Sequence, residues 1–201
     1  MTRDSALGPL PGQVQTVDFV HAGSPEGAGR FYAPEGEKLL MHVSNFRPVK
    51  RVQDCVRIVA EVLRHTPAHL VMVGDGPERG PAEHLARELG LERHVSFLGK
   101  QNHVERIIPL AHVLLMPSDL ESFGLVALEA MACGVPPVAT RVGGVPELIT
   151  DDVDGYLEAV GDIAAQAARV VRLLTDDELH ARNPVQNSTP PIESATPRRS
   201  T

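Results

Sequence analysis

Two carboxylates separated by seven residues, Glu121 and Glu129, stand out in the segment DLESFGLVALEAMACG, residues 119–134. The later part of the segment predicts a helix, and the first amides of a helix have no carbonyl partner within it. The amides that lie there belong to Phe123, Gly124 and Leu125. A phosphate or a sugar hydroxyl would meet these donors together with the carboxylate of Glu121. Glu129, about two turns further along and near the same face, could accept two hydrogen bonds from a vicinal diol such as a ribose.

The same two acids also have a purely structural interpretation. Glu121 could cap the helix, and Glu129 could be an ordinary solvated helix residue. The surrounding sequence ALEAMACG is, however, small and apolar, which is typical of a buried helix. A carboxylate inside a buried helix needs a partner, so the sequence favours a role in ligand binding.

A second set of candidate residues lies in SNFRPVKR, residues 44–51, after the first predicted strand. Arg47, Lys50 and Arg51 gather there, where the next helix begins. Cations at the amino end of a helix are unfavourable for the helix alone. The arrangement makes sense when an anion such as a diphosphate binds between them. A solvated basic turn is the alternative.

Glycines follow two other strands. Gly74 and Gly76 lie in VGDGPE, residues 73–78. Glycine permits positive φ and a close approach of the backbone to a ligand, although an ordinary strand-to-helix turn has the same pattern. A further glycine pair lies with Glu147 in RVGGVPE, residues 141–147, and its backbone could close on the same ligand.

A third loop, FLGKQ, covers residues 97–101, where Gly99 ends a strand and Lys100 follows it. The backbone groups of such a loop could read the edge of a nucleobase. A surface lysine beside a turn is the more ordinary interpretation of this spacing.

The composition limits the kinds of partner. A formal net charge of −7 in 201 residues argues against general binding to nucleic acids or to anionic membranes. Any phosphate contact must therefore be local, and the rare lysines (Lys38, Lys50 and Lys100) become informative. The sequence shows no signal-peptide pattern and no apolar run long enough to span a bilayer.

The cysteines and histidines indicate neither a disulfide nor a metal site. Cys55 and Cys133 fall in predicted helices far apart in the sequence, which indicates a reduced protein in the cytoplasm. His65 and His69 have a ligand-like spacing, but Pro67 would break the helix needed to present both on one face. We therefore expect no metal and no cofactor.

The elements that must position these residues alternate between short apolar runs and helical periods. Strands are predicted over residues 38–44, 69–74, 94–99, 112–118, 136–142 and 155–160. Helices are predicted over residues 52–65, 77–89, 104–111, 124–134, 144–150 and 162–182, and Pro109 interrupts the helix over 104–111. Strands that are apolar on both faces predict an α/β fold with a parallel sheet covered by helices on each side. We expect a doubly wound, Rossmann-like single domain, which binds ligands at the carboxyl ends of its strands.

Several of these motifs together resemble one enzyme class, the retaining nucleotide-sugar glycosyltransferases with two facing Rossmann-like domains (the GT-B type). The similarity is to their carboxy-terminal, donor-binding domain, and rests on the spacing of Glu121 and Glu129 and on VGDGPE, FLGK, ESFGLVALEAMACGVPPVAT and GGVPELI. HVSNFRPVKRVQD and FLGKQ resemble more specifically the N-acetylglucosaminyl malate synthases of bacillithiol synthesis. The resemblance covers about residues 37–182. It implies UDP-N-acetylglucosamine as the donor substrate and L-malate as the acceptor.

The resemblance implies that Arg47 and Lys50 hold the donor diphosphate. It also implies that Glu121 contacts the transferred sugar, so Arg47, Lys50 and Glu121 are the candidate catalytic residues. Many members of the class have Gly-Arg where this chain has Ser44-Asn45, and the cationic role passes to Arg47. With cations at the diphosphate, no metal is required.

The remaining roles concern binding of the donor. By resemblance, Glu129 binds the ribose diol, the backbone of residues 123–125 holds the sugar and the β-phosphate, and residues 99–101 border the uracil. The candidate donor-binding residues are Gly74, Gly99, Lys100, Phe123, Gly124, Leu125 and Glu129.

The ends of the chain lack sustained periodicity. We expect an irregular leader over residues 1–36, the nucleotide-sugar-binding domain over 37–182 and a disordered tail over 183–201. The acceptor-binding domain of the class has no counterpart here, so the chain resembles a fragment or a truncated gene product. It could be the donor-binding domain of a transferase, a nucleotide-sugar-binding module without turnover, or a subunit completed by a separate acceptor-domain polypeptide. An apolar interdomain face is expected near Val142 and Val145.

Overall fold

The computed structural model describes residues 36–176. The predicted leader, apart from residue 36, and the predicted tail over 183–201 lie outside the described residues. The last part of the predicted helix 162–182 also lies outside them.

The described residues form a six-stranded parallel sheet in the order β3-β2-β1-β4-β5-β6. The strands are β1 (Lys38–Ser44), β2 (Ala68–Gly74), β3 (Val95–Gly99), β4 (Val113–Met116), β5 (Pro137–Thr140) and β6 (Tyr156–Glu158). Four consecutive residues of β4 are buried, as are four of β5. Side chains alternate between the faces of a strand, so this burial means that both faces of the sheet are covered. The predicted doubly wound α/β fold is confirmed.

Five helices flank the sheet within the described residues: α1 (Val52–Val62), α2 (Arg79–Glu88), α3 (Leu125–Ala132), α4 (Val145–Leu148) and α5 (Ile163–Thr175). Two apolar clusters lie on the two faces of the sheet. One includes Leu40, Val56 and Val170, and the other includes Leu39 and Ala127. Leu39 and Leu40 are neighbours in β1 that belong to different clusters because their side chains point to opposite faces.

The strand order reverses at β1, and this reversal positions the site. From β1 the chain proceeds to β2 and β3 on one side, and then crosses to β4 on the other. The registered pairs between β1 and β4 are Leu40 with Val113 and Met41 with Leu114. Both strands continue beyond these pairs, so their carboxyl ends separate. A crevice at such a reversal is where open α/β sheets bind ligands.

Two of the predicted helices differ from the structure. Helix α1 ends at Val62 rather than at residue 65, and turns follow it. The residue before a proline disfavours helical backbone, and Pro67 follows these turns. The segment 104–111, predicted as a helix interrupted by Pro109, is a pair of short 3₁₀ turns, Val104–Arg106 and Ile108–Leu110. Pro109 lacks the amide that a continuous helix needs.

Two other helix ends have typical capping geometry. The side chain of Asp162 accepts a hydrogen bond from the amide of Ala165 at 3.0 Å, as expected of an N-cap. After α3, Gly134 adopts a left-handed φ of 73°. Helix α5 ends at Thr175, and Asp176 is extended.

Candidate functional site

A cleft of about 290 Å³ opens at the carboxyl ends of β1 and β4. Its lining comes from the loop after β1 and from the loop and helix after β4. The lining residues are 42–45, Lys50, Met116, Ser118 and 121–126. The cleft therefore lies at the reversal of strand order, at the end of the sheet where the sequence placed its candidate loops.

Lys50 and Glu121 meet in this cleft. The ammonium of Lys50 donates a hydrogen bond to Oε2 of Glu121 and forms an ion pair with it. Lys50 is carried by the 3₁₀ turn Pro48–Lys50 after β1, and Glu121 by the loop after β4. The exposed fractions of the two side chains are 21% and 17%, so the pair is partly shielded from water. The structure thus brings two of the three candidate catalytic residues into direct contact.

The two arginines near Lys50 differ in what they contact. Arg47 is exposed, and its guanidinium has no hydrogen bond or ion pair with any residue in 36–176. Arg51 is already paired: Nε donates to Asp54 at 2.5 Å and a terminal nitrogen donates to Asp119 at 3.1 Å. These contacts, chiefly the hydrogen bond to Asp54, raise the pKa of Arg51. Lys50 is therefore the cation that lines the cleft, with Arg47 outside its lining.

The start of α3 supplies free backbone donors to the cleft. Gly124 precedes the helix with φ of 65°, and its carbonyl accepts from the amide of Ala127 at 2.8 Å. The amides of Leu125 and Val126 precede this first helical hydrogen bond, so the helix gives them no carbonyl partner. All four residues from 123 to 126 line the cleft. An anion placed here would meet backbone donors and the positive end of the helix dipole.

Glu129 does not join the cleft, and the expectation that α3 is buried is wrong. Only Ala127 and Ala130 of this helix are buried, and Glu129 is exposed. A solvated carboxylate needs no protein partner, so burial no longer argues for ligand binding by Glu129. The apolar residues of this region face outward: Phe123 is 76% exposed and Leu125 is 62% exposed. Of the two residues near which an apolar interdomain face was expected, Val145 is fully buried and Val142 is half-buried.

Two glycines approach the protein backbone closely in the loops around the cleft. A Cβ on Gly74 would lie 1.8 Å from the carbonyl oxygen of Ser44, and a Cβ on Gly143 would lie 1.8 Å from that of Glu121. Both distances are far inside atomic contact, so only glycine fits. Gly74 therefore allows the loop after β2 to pack against Ser44, next to the loop that carries Lys50. Gly143 allows the loop after β5 to pack against the loop that carries Glu121.

The third loop lies apart from the cleft lining. Gly99 has φ of 69°, and Lys100 is exposed. The side-chain amide of Gln101 donates to the carbonyl of Leu98 at 2.8 Å, which closes the loop on itself. Gly99 and Lys100 stand at the carboxyl end of β3, on the same side of the sheet as the cleft, as expected of parallel strands.

The candidate residues taken from the sequence do not include His42, Ser44 and Ser118, which are among the polar residues that line the cleft. His42 is buried, and its burial lowers the pKa to about 4, so the ring is neutral near pH 7. Ser44 bonds to it. Ser118 is fully buried, and its hydroxyl has no hydrogen-bond partner in residues 36–176. A histidine inside the otherwise apolar strand KLLMHVS was the available signal for His42.

Three features outside the cleft bear on the other expectations. Among the described residues, no three histidine, cysteine or acidic side chains are placed to hold a metal ion. Cys55 and Cys133 are both free thiols. None of the helices in residues 36–176 combines the length and apolar character that crossing a membrane requires.

Residues 29–188 match the model of the family described as glycosyl transferases group 1. The N-acetyl-alpha-D-glucosaminyl L-malate synthase of Bacillus anthracis is 50% identical over 146 residues, which cover 73% of this chain and 38% of that protein. The D-inositol 3-phosphate glycosyltransferase of Corynebacterium efficiens is 36% identical over 159 residues, covering 74% of this chain and 37% of that protein. The chain thus spans well under half the length of these relatives.

Solved structures show the same fold. HepE of Anabaena in complex with UDP superposes with a TM-score of 0.69 at 27% identity, over 75% of this chain and 42% of that one. WaaG, a glycosyltransferase involved in lipopolysaccharide biosynthesis, superposes with a TM-score of 0.69 at 28% identity, over 83% of this chain and 47% of that one. These structures are glycosyltransferases of the GT-B type.

Proposed function

The chain belongs to the group 1 glycosyltransferase family, and from this premise we propose that its cleft binds the UDP-sugar donor of a retaining glycosyltransferase. The observation that carries the proposal is the meeting of Lys50 and Glu121 beside the amino end of α3. This arrangement puts a cation, a carboxylate and free amides around one small volume. A nucleotide sugar offers a diphosphate and a hydroxylated ring to such a set of groups.

The diphosphate has two sources of stabilisation in the cleft. The ammonium of Lys50 has three N–H donors, and one of them is used by Glu121. The others remain for phosphate oxygens, together with the amides of Leu125 and Val126. Charge develops on the diphosphate as the bond to the sugar breaks, and preorganised donors at that place lower the barrier. We propose that these groups act without a metal ion, with Arg47 as a further cation at the edge.

The sugar and the nucleoside are assigned to the two acids. Glu121 lines the cleft, where its free oxygen can accept hydrogen bonds from sugar hydroxyls. Glu129 is exposed on α3, and we assign it to the ribose diol. The loop of residues 99–101 is assigned to the uracil, because it follows β3 at the same end of the sheet.

The choice of substrates rests on the relative in Bacillus anthracis, the N-acetyl-alpha-D-glucosaminyl L-malate synthase. Its 50% identity over the matched residues supports N-acetylglucosamine as the transferred sugar and L-malate as the acceptor of the whole enzyme. The two thiols, which a reducing compartment maintains, support a cytoplasmic location.

Two other functions are consistent with the same donor cleft. A nucleotide-sugar-binding module would bind the donor without transferring the sugar. A partner-dependent subunit would transfer it only after a separate acceptor-domain polypeptide is added.

The test combines a binding measurement with a transfer assay. Calorimetry with UDP, UDP-N-acetylglucosamine and GDP, each with and without EDTA, should show metal-independent binding of the two uridine ligands and weaker binding of GDP. Absence of binding to either uridine ligand would overturn the proposal. Transfer to L-malate is then assayed with the chain alone and with the separately produced remainder of the Bacillus anthracis relative. Turnover by the chain alone would identify it as an enzyme. Turnover only after this addition would identify it as a subunit, and turnover in neither case would identify it as a binding module.

A further inference from the structure

A chain of hydrogen bonds links β4 to the loop after β1 through the side chain of His42. Nδ1 of His42 donates to the carbonyl oxygen of Leu115 at 2.9 Å. The hydroxyl of Ser44 donates to Nε2 at 2.8 Å, and Ser44 Oγ accepts from the amide of Phe46 at 3.2 Å. A carbonyl can only accept, so it assigns the proton to Nδ1, and Nε2 must then be the acceptor.

This chain stands where the sheet opens. The last registered pair of β1 and β4 is Met41 with Leu114, and the next residues along the two strands are His42 and Leu115. At this position a side-chain contact replaces the backbone ladder. His42 therefore spans the crevice at its base, and His42 and Ser44 both line the cleft.

The loop that this chain reaches has an unfavourable backbone. Phe46 is fully buried with φ of 43°, in the left-handed region that non-glycine residues avoid. Its amide is held by Ser44 and its carbonyl accepts from the amide of Glu78 at 3.0 Å. The burial of Phe46 and these two hydrogen bonds hold the loop in this conformation. The 3₁₀ turn with Lys50 follows directly.

We propose that His42 is a positioning residue, which acts through Ser44 to hold the Phe46 backbone and so to place Lys50 against the bound diphosphate. The inference rests on the proposed donor site. His42 itself is almost completely buried and contacts no ligand in this role. Its neutral ring adds no charge beneath the cation and the carboxylate of the cleft.

The test uses three variants of the full chain. His42→Phe keeps the volume of the ring and removes both hydrogen bonds, and Ser44→Ala removes the link between His42 and Phe46. His69→Phe is the matched control, because His69 is also buried and its Nε2 bonds the hydroxyl of Ser96 at 2.8 Å. His69 lies at the start of β2, at the opposite end of the sheet from the cleft.

Amide hydrogen exchange of the free protein tests the positioning itself. His42→Phe and Ser44→Ala should increase exchange of the Phe46 amide by about tenfold or more, and His69→Phe should leave it unchanged. Equal protection of this amide in all variants would overturn the inference, whether or not the protein binds UDP.

Binding of UDP tests the consequence for Lys50. His42→Phe and Ser44→Ala should each raise the Kd for UDP by about fivefold to twentyfold. In the His42→Phe background, Lys50→Ala should cause a much smaller further loss than it does in the unchanged protein. Full additivity of the two substitutions would contradict the role through Lys50. If the unchanged protein binds no UDP, the proposed function fails, and hydrogen exchange alone decides the role of His42.

Discussion

Lys50 and Glu121 form an ion pair across the cleft, although their positions in the chain differ by 71. The pair joins the two loops that follow β1 and β4, the strands between which the order of the sheet reverses. Without a ligand the carboxylate neutralises the ammonium. A bound diphosphate would then share the ammonium with Glu121 or displace the carboxylate. The contact therefore links the group assigned to the sugar with the group assigned to the phosphate.

Removal of the Lys50 ammonium should weaken binding of UDP. A hydrogen bond to a charged group contributes about 1.5–3 kcal/mol, so Lys50→Ala should raise the Kd by about tenfold to a hundredfold. Lys38→Ala is the control, because Lys38 is the first residue of β1, at the opposite end of the sheet from the cleft. Calorimetry on both variants measures the effect, and equal affinities would exclude Lys50 from the diphosphate site.

Arg47→Ala should also weaken the binding of UDP, but by less than Lys50→Ala does. Its guanidinium is exposed and does not line the cleft, and solvent weakens charge interactions at such positions. We expect a loss of about twofold to tenfold that shrinks as salt is added from 0.05 to roughly 0.5 M, in a titration series. A loss as large as that of Lys50→Ala at high salt would show that Arg47 closes over the ligand.

The glycines that support the cleft should tolerate no side chain. Gly143 has φ of 52°, and a Cβ there would lie 1.8 Å from the carbonyl oxygen of Glu121. Gly143→Ala should lower the free energy of unfolding by about 2–4 kcal/mol. Gly90 has φ of 69° and open space around it. Gly90→Ala should therefore lower the free energy of unfolding by only about 1–2 kcal/mol, because only the left-handed backbone is unfavourable. Gly80→Ala, in α2 with open space around it, should stabilise by about 0.4–1 kcal/mol. Denaturant unfolding checks this order, and equal effects at Gly143 and Gly90 would contradict the close approach.

The strands and the loops after them could be predicted from the sequence because their signals are local. The strand Lys38–Ser44 contains the apolar run Leu39–Met41, and both predicted ends of the strand match the structure. The parallel sheet then requires that loops after strands share one end, which brings Lys50 near Glu121 without any knowledge of their contact. The partner of Lys50 could not be predicted in this way, because it depends on side-chain directions across the crevice.

The exposure of most of α3 could not be predicted, because an apolar sequence does not indicate whether another part of the protein packs against the helix. ALEAMACG indicates burial, yet Leu128 is 48% exposed and Glu129 faces solvent. The interruption of 104–111 could be predicted, because Pro109 lacks the amide that a continuous helix needs. The sequence did not indicate that both parts are 3₁₀ turns.

Two buried histidines should make the protein less stable in acid. Burial lowers the pKa of both His42 and His69 from 6.5 to about 4. Between these values the unfolded chain binds protons that the folded protein does not, so the free energy of unfolding falls as the pH falls from about 6.5 towards 4. The stabilisation is fully present above this window. The loss is on the order of 3 kcal/mol for each histidine at most.

Unfolding by denaturant at several pH values measures this dependence. His42→Gln and His69→Gln should each reduce the slope of the free energy of unfolding against pH between pH 6.5 and 4. His84→Gln should leave it unchanged, because the side chain of His84 is 66% exposed. A slope that survives removal of both buried histidines would assign the acid sensitivity to other groups.

Glu121 and Glu129 should respond differently to the same substitution, since one lines the cleft and the other is exposed on α3. Glu121→Ala should weaken UDP-N-acetylglucosamine by about tenfold, because a sugar hydroxyl loses its acceptor. UDP lacks the sugar and gains a Lys50 freed from its ion pair, so its affinity should stay equal or rise. Glu129→Ala should weaken both ligands by a similar factor, since both carry the ribose. Calorimetry of two ligands on two variants gives the four affinities. If Glu129→Ala changes neither, Glu129 is a solvated surface residue and the ribose has another partner. If Glu121→Ala weakens UDP as much as the UDP-sugar, then Glu121 serves to hold Lys50 rather than to bind the sugar.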